Sequence, residues 1–331
     1  MAKGHKPKAG SRAYWPKKRA KRIYPKFKHS REMERINSKI KETRPLEFGG
    51  YKAGMTNVIF TDNRKGSHTQ GQDLSKAVSV LDCPPLFVFG IKLYRKTQSG
   101  YETHGMVWAQ DLKKDLARKL DVPKKKGSEL SKFEGELDRI SDVRLLVHTQ
   151  PREGFGKKRP EVFEIDLSGT MESKWKYAKE KLGKEMDVSE VFSEGEYVDV
   201  NSVTKGRGFQ GVVKRFGVKI RTRKNKGKRR HIGTMGPVTP GRVIPGAIAQ
   251  AGQLGFQTRT EFGKKLVRIG KEGLKIKGGF LGYGDVKKNY VLIEGSVPGP
   301  KKRLVLFRKS YRKSDLREPI EIKSVSLESQ Q

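Results

Sequence analysis

The residues that invite a chemical reading lie between Lys219 and Arg230, KIRTRKNKGKRR, where eight of twelve positions are Lys or Arg. Cations at this density are a phosphate-binding footprint, because each phosphate they neutralise releases counterions. Arg can also fork onto phosphate oxygens or stack on bases. A charge run in isolation is more often a solvated face or a localisation signal. The surroundings weaken that reading. From Val200 to Thr260 there is no Asp or Glu in sixty-one residues, against fourteen Lys or Arg, eleven Gly and three Pro. A merely solvated surface mixes its signs.

After the run comes HIGTMGPVTPGRVIPGAIAQAGQLG, His231 to Gly255, rich in Gly and Pro and almost uncharged. It makes neither a good helix nor a good strand, and a free loop of this length is uncommon in a compact domain. A partner that fixes its shape accounts for it; a disordered loop is the alternative. Glycines let backbone approach RNA closely, and prolines reduce the entropy lost on ordering.

Gly206, Gly208 and Gly211 spell G-x-G-x-x-G after an expected strand. A dinucleotide site would need an acid about 20 residues later to hold the ribose. That region is Lys224 to Arg230, and the next acid is Glu261. These glycines are read instead as turn formers that bring backbone near phosphate. No G-x-S-x-G, Walker-type loop or defensible carboxylate pair occurs. Six scattered His (His5, His29, His68, His104, His148, His231) form no zinc-type cluster, so no metal site is expected. Cys83, the single cysteine, precedes two prolines in an apolar stretch and is expected to be buried.

The elements that must position these residues follow from composition. The 331 residues carry 73 Lys and Arg against 36 Asp and Glu, a net charge of +37. Such a chain repels itself unless a polyanion neutralises it. Nucleic acid is the first candidate and an anionic membrane surface the second. No apolar run reaches the roughly 18–20 residues that span a bilayer. The start, MAKGHKPKAGSR, lacks the apolar region of a signal peptide, and a reduced, cytoplasmic setting is expected.

Met1 to Arg31 holds twelve Lys or Arg, no acid, and prolines at 7, 16 and 25. With Tyr14, Trp15, Tyr24 and Phe27 among the cations, it reads as an extended arm docked on RNA, since bases stack on rings. Strands are expected over Gly49–Phe60, over Ala77–Tyr94 split by Pro84-Pro85, and over Tyr101–Gln110. Between 111 and 194 the pattern turns helical at Leu112, Leu116 and Leu120, and again at Met171, Trp175, Ala178 and Leu182, closed by Gly183. Strands intervene at Val143–Thr149 and Val162–Asp166. Half of the chain's acids, eighteen of thirty-six, lie in this stretch. It is expected to be a compact α/β insertion facing solvent or protein. Strands return at YVDVNSV from Tyr197, then at Leu266–Ile269, Leu274–Ile276, Tyr290–Glu294 and Arg303–Phe307. The tail after Ser310 is mixed in charge and is expected to fray.

At Phe192 to Arg215, FSEGEYVDVNSVTKGRGFQGVVKR, the chain resembles the signature of the large-subunit ribosomal protein three family. The match runs through Phe192, Asp199, Ser202, Thr204, Gly206, Arg207, Gly208, Gly211 and Arg215. GGYKAGMT near Gly50 looks like the family's first barrel strand. GGFLGYGDVKKNYVLIEGSVPGPKKRLVLFR, Gly278 to Arg308, looks like its last strands. The basic start, with Lys17, Lys18 and Arg19 after Trp15-Pro16, is similar to the archaeal and eukaryotic branch.

The resemblance implies a mainly β fold with an α+β insertion: a six-stranded translation-protein-type β-barrel with a long basic rRNA-penetrating loop and an N-terminal extension. The organisation it implies is a basic extension 1–45, a first part of the barrel 46–110, an α/β insertion 111–194, a second part of the barrel 195–310 and a tail 311–331. The rRNA-binding finger would be 219–260, its tip near Gly236 to Arg242. It implies a structural role in the large ribosomal subunit rather than catalysis: binding near the 3′ end of the large rRNA, early action in assembly, and a finger directed to the peptidyl transferase centre. Neighbours would include ribosomal proteins of the fourteenth large-subunit family and the archaeal and eukaryotic twenty-fourth family. No cofactor is expected beyond Mg²⁺ brought by RNA, and no membrane or small-molecule substrate.

The expected RNA contacts are Lys17, Lys18, Arg19, Lys205, Arg207, Arg215, Lys219, Arg221, Arg223, Lys224, Lys228, Arg229, Arg230, His231, Arg242 and Arg259. Gly206, Gly208 and Gly236 would allow close backbone approach, and Pro237, Val238, Thr239 and Pro240 would form the tip. Relatives often carry Trp where this chain has Val238, and His or Asn where it has Thr239. A tip mechanism that needs an aromatic or a modified His does not carry over. Two other classes compete: an RNA-modifying enzyme, which would need a catalytic acid or base in the acid-free window, and a free RNA chaperone or chromatin component, which would not co-sediment with large subunits.

Overall fold

A computed structural model describes residues 17–27, 40, 42–64, 66–123, 130–239, 241–243, 246, 248–312 and 321–329. The arm residues Tyr14 and Trp15 and the tip residue Pro240 lie outside the described residues. The strands are β1 (Glu47–Thr61), β2 (Asp73–Asp82), β3 (Leu86–Thr97), β4 (Gly100–Trp108), β5 (Asp142–His148), β6 (Val162–Asp166) and β7 (Glu185–Met186). They continue as β8 (Tyr197–Val203), β9 (Phe209–Gln210), β10 (Gly252–Gln253), β11 (Thr258–Gly270), β12 (Tyr290–Glu294), β13 (Leu304–Lys309) and β14 (Glu321–Val325). The fold is mainly β, and the longest helix among the described residues is Met171–Lys181.

Two compact units emerge. One draws on Tyr24–Ser202 and Thr260–Gln331, the other on 17–23 and Val203–Arg259.

The first unit holds the apolar core. Its larger sheet has the order β13-β8-β11-β12-β2-β1-β14, with a further pairing of β13 to β1. β1 runs antiparallel to β13 from Glu47↔Arg308 to Tyr51↔Leu304, and to β2 from Tyr51↔Asp82 to Thr61↔Asp73. Every residue of β8 is buried, so its strand reads as a continuous apolar run broken by polar groups that find partners. Asp199 is one: its Oδ1 accepts from the Gly263 N–H at 2.9 Å. Phe48, Val80, Val198, Leu292 and Phe307 fill the interior.

The smaller sheet has the order β4-β3-β5-β6, with β7 on β3. β3 and β4 were expected within the first part of the barrel, but they lie in this smaller sheet, where β3 pairs with β4 on one side and β5 on the other. The switch falls at Pro84-Pro85: proline has no N–H to continue a ladder, so the chain leaves one sheet for the other. Cys83 at this junction is fully buried, as expected, and burial pushes its thiol up. Helix Met171–Lys181 buries Trp175 and Ala178, while Met171 and Leu182 pack beside them, as the alternating spacing of four and three anticipates.

Three local expectations are corrected. Leu112, Leu116 and Leu120 do not lie on an α-helix: only a 3-10 turn forms at Lys114–Arg118. The three leucines instead cap Phe87, Phe89 and Leu146. A helix this short is not stable by itself, so packing decides its form. Leu274–Ile276 makes an isolated bridge, Leu274↔Val286, rather than a strand. Both partners are buried, so the apolar signal reported burial and not extension. The tail does not simply fray. β14 pairs with the outer half of β1, Val58↔Val325 to Thr61↔Glu321, and packs Ile322 and Val325 against the core. The open edge of β1 supplies ladder groups that a tail can satisfy.

Candidate nucleic-acid interface

The second unit contains the acid-free strip, and it has few large apolar residues with which to build a core. It is held by backbone hydrogen bonds. The Thr204 N–H donates to the Gln257 carbonyl at 2.9 Å, Arg207 N–H to Leu254 at 2.9 Å, and Leu254 N–H to Gly208 at 2.9 Å. β9 and β10 complete the zipper through Phe209↔Gln253 and Gln210↔Gly252. The Ala20 N–H donates to the Phe256 carbonyl at 2.8 Å, which fastens the arm segment 17–23 to the same legs. Gly255 is indispensable to the closure. Its φ is +72°, and a Cβ there would lie 2.0 Å from the Lys205 carbonyl oxygen.

A short helix, Val212–Phe216, turns the chain and ends at Gly217 in the left-handed conformation, φ 68°. Arg215 on it was expected to contact RNA. It is buried, and its guanidinium is engaged inside the unit. Nε donates to the Gln253 carbonyl at 3.0 Å, Nη1 to Gln250 at 2.7 Å and Nη2 to Lys17 at 3.3 Å. A Cβ on Gly252 would come within 3.0 Å of this guanidinium, so glycine admits the contact. The planar fork of Arg gathers three separate carbonyls, two from the returning leg and one from the arm, which a single Lys ammonium would not span. Lys17 is also buried, with Nζ 5.5 Å from the Phe216 ring centroid and the Arg215 guanidinium carbon 5.1 Å from it. Burial lowers the Lys17 pKa first, and the neighbouring Arg259 and Arg215 lower it further. Three cations thus converge where the strip has no carboxylate to balance them.

Beyond this frame, 221–232 closes on itself. The Arg221 N–H donates to the Arg229 carbonyl at 3.0 Å, Arg221 Nη2 to Ile232 O at 2.9 Å, and the Asn225 N–H to Thr222 O at 3.1 Å. The turn displays Arg223, Lys224, Lys226, Lys228, Arg229, Arg230 and His231 as exposed side chains. Lys219, Lys205, Arg207, Lys214 and Arg242 are exposed as well, and so are Lys18 and Arg19 in the arm. Gly206 and Gly208 are exposed on the zipped leg, and Gly208 takes φ +66°. At the tip, Gly236 has φ +114°, Pro237 and Thr239 are exposed, and Val238 is 93% exposed. Arg259 is half-buried and donates to Thr258 O at 2.9 Å and Gln257 Oε1 at 3.0 Å.

Sequence reasoning missed two kinds of residue here. Gly252 and Gly255 shape the frame, but their roles depend on atoms over thirty positions away in the chain. Phe209 is 77% exposed among the cations. Its signal was present, because the interleaving of aromatics with cations read in the arm applies equally to KGRGF, Lys205 to Phe209.

The arrangement can bind anions and stack on planar groups. Among the described residues no cluster of three or more His, Cys, Asp or Glu has metal-ligand geometry. No described helix is long and apolar enough to cross a membrane.

Comparison with known proteins agrees over the whole length. The family model for Ribosomal protein L3 matches residues 1–331. The chain is 45% identical over 323 residues to large ribosomal subunit protein uL3 of Methanothermobacter thermautotrophicus, covering 94% of each chain. It is 44% identical over 317 residues to uL3 of Archaeoglobus fulgidus, covering 94% of this chain and 93% of the relative. To uL3 of Picrophilus torridus it is 42% identical over 341 aligned positions, covering 100% and 99%. With a full-length family match and archaeal relatives aligned nearly end to end, the chain belongs to the ribosomal protein L3 family.

Proposed function

We propose that this member of the family holds large-subunit rRNA in place by neutralising phosphates between its helices. Membership makes the chain a structural protein of the large ribosomal subunit in the cytoplasm, not an enzyme. The observation that carries the finer reading is the second unit itself. Exposed cations stand on a backbone-zipped loop whose 61-residue acid-free window offers no internal counter-charge. A polyanion that wraps this loop would supply the missing charge, and it would also relieve the repulsion among Lys17, Arg215 and Arg259. Recognition through phosphate and shape, rather than base sequence, suits a surface of this kind.

On this reading the segment 219–260 is a finger that enters the rRNA near its 3′ end and points to the peptidyl transferase centre. The basic extension 1–45 enters beside it, early in assembly. The parts 46–110 and 195–310 would form a six-stranded barrel around the insertion 111–194. The cyclic pairing β13-β8-β11-β12-β2-β1-β13 supports closure, although β3 and β4 then belong with the insertion. The exposed basic side chains are the phosphate contacts, and Arg215 holds the loop. Ribosomal proteins of the fourteenth and twenty-fourth families are the proposed neighbours. Mg²⁺ enters only with the RNA.

The test is binding to large-subunit rRNA fragments across a salt series. Affinity should fall with log salt at a slope of about 0.7–0.9 for each phosphate neutralised. Binding that ignores salt would overturn the proposal. Replacing 221–232 by a short Gly-Ser turn should leave the first unit folded and stall subunit maturation; normal subunits would refute the finger.

A further inference from the structure

We infer that Phe209 is a stacking platform for an unpaired nucleobase, a contact that rests on the RNA-binding reading and adds base-plane recognition to it. Phe209 is the most exposed aromatic ring among the described residues, at 77%. Leaving a ring of this size in water forfeits burial that a folded chain normally secures, yet its backbone is not loose. It sits in the β9–β10 ladder opposite Gln253, whose carbonyl receives Arg215 Nε at 3.0 Å. The next side chain, Gln210, donates to the Arg207 carbonyl at 2.7 Å. The ring is therefore presented from a pinned strand.

The space around it is open. Gly208 and Gly211 flank it, and a Cβ on either would meet nothing within 4 Å. With 77% of the residue in solvent, a planar group can reach the ring. The charge around it selects the partner: Lys205, Arg207 and Lys214 are exposed nearby in sequence, and no carboxylate occurs in the window. An apolar ring framed by unbalanced cations fits a base attached to a phosphate chain. A basic protein surface would be repelled, and a lipid tail would need a broader apolar patch. Every nucleobase has a π-face, so this contact tolerates sequence.

The experiment compares full-length wild type with Phe209→Ala, Phe209→Leu and Phe209→Trp on the same rRNA fragments over the same salt series. Stacking predicts that Phe209→Ala weakens binding about 5- to 150-fold at every salt concentration, with the salt slope unchanged, since no charge is lost. Phe209→Leu, which keeps apolar bulk but no ring, should behave like the alanine variant. Phe209→Trp should bind at least as tightly, and its indole fluorescence should be quenched by RNA. In subunits carrying Phe209→Leu, one base should gain reactivity to chemical probing. Wild-type affinity in both the alanine and leucine variants would overturn the stacking role. Wild-type affinity in the leucine variant alone would show simple apolar packing and overturn it too. A wild type whose binding ignores salt would instead refute the underlying phosphate-binding reading, so the two failures are distinguishable.

Discussion

Arg144 in the first unit and Arg215 in the second are both buried, but they meet different partners. Arg144 Nε lies 3.0 Å from Asp142 Oδ2 and 2.9 Å from Asp166 Oδ1, with Nη1 3.6 Å from Glu164 Oε2. Its guanidinium also stacks 4.5 Å from the Tyr94 ring centroid. Arg215 meets backbone carbonyls and an arene. The contrast extends to the other cations. Lys174 pairs with Asp142 at 2.9 Å, Lys76 with Glu294 at 2.7 Å and Lys92 with Glu164 at 3.1 Å. The strip has no acid with which to do the same. Cations balanced inside the chain serve the fold. Cations on a loop whose own sequence supplies no acid are the ones proposed above to meet phosphate.

This contrast can be broken by substitutions that ought to act on one unit only. The largest effect should come from Phe307→Ala. Phe307 is fully buried and packs 5.2 Å from Phe192 and 5.9 Å from Phe48. Truncation should cost about 3–5 kcal/mol in denaturant unfolding, while the salt slope of RNA binding by the remaining folded protein stays the same. A changed slope would mean that the two units are not separable in this way.

The next effect is one of pH. Asp82 is buried, and desolvation raises its pKa to about 6, partly offset by the Tyr283 hydroxyl donating at 2.6 Å. A raised carboxyl pKa favours the folded state in acid. That contribution is fully present below the unfolded value near 4 and is lost as pH climbs through about 6. Stability should drop by about 3 kcal/mol between pH 4 and 7 from this group. Asp82→Asn should remove that step from urea unfolding curves taken across the range. The strip holds no carboxylate, so RNA affinity should show no carboxyl titration step from its own side chains. An equal step in both properties would blur the distinction.

Arg215→Met should act the other way. It keeps apolar bulk but leaves the Gln250 and Gln253 carbonyls without this donor, a loss of about 1–3 kcal/mol confined to the second unit. Limited proteolysis should cut 203–259 faster, with global unfolding of the first unit unchanged. Protection equal to wild type would remove the anchoring role. The smallest effect on stability is expected of Arg223→Ala, within about 0.5 kcal/mol because the residue is exposed. Its signature is instead a salt slope lower by about 0.7–0.9. An unaltered slope would take Arg223 out of the phosphate contacts.

Much was legible from residue order alone. The strand at β12, the Leu266–Ile269 part of β11, the existence of β8 and the Trp175 helical face follow from residue pattern, because apolar spacing repeats with the backbone; the burial of every residue of β8 does not. The acid-free strip is equally a property of composition, and it pointed to a polyanion before any coordinate. Tertiary structure decided the rest. It sent β3 and β4 to the second sheet, drew β14 onto the edge of β1, and reduced the Leu112–Leu120 stripe to a 3-10 turn. It also turned Arg215 inward and left Phe209 in solvent. The physical reason is common to all of these. Charge and hydrophobicity belong to each side chain, whereas strand pairing and the direction a side chain takes depend on groups that only folding brings alongside.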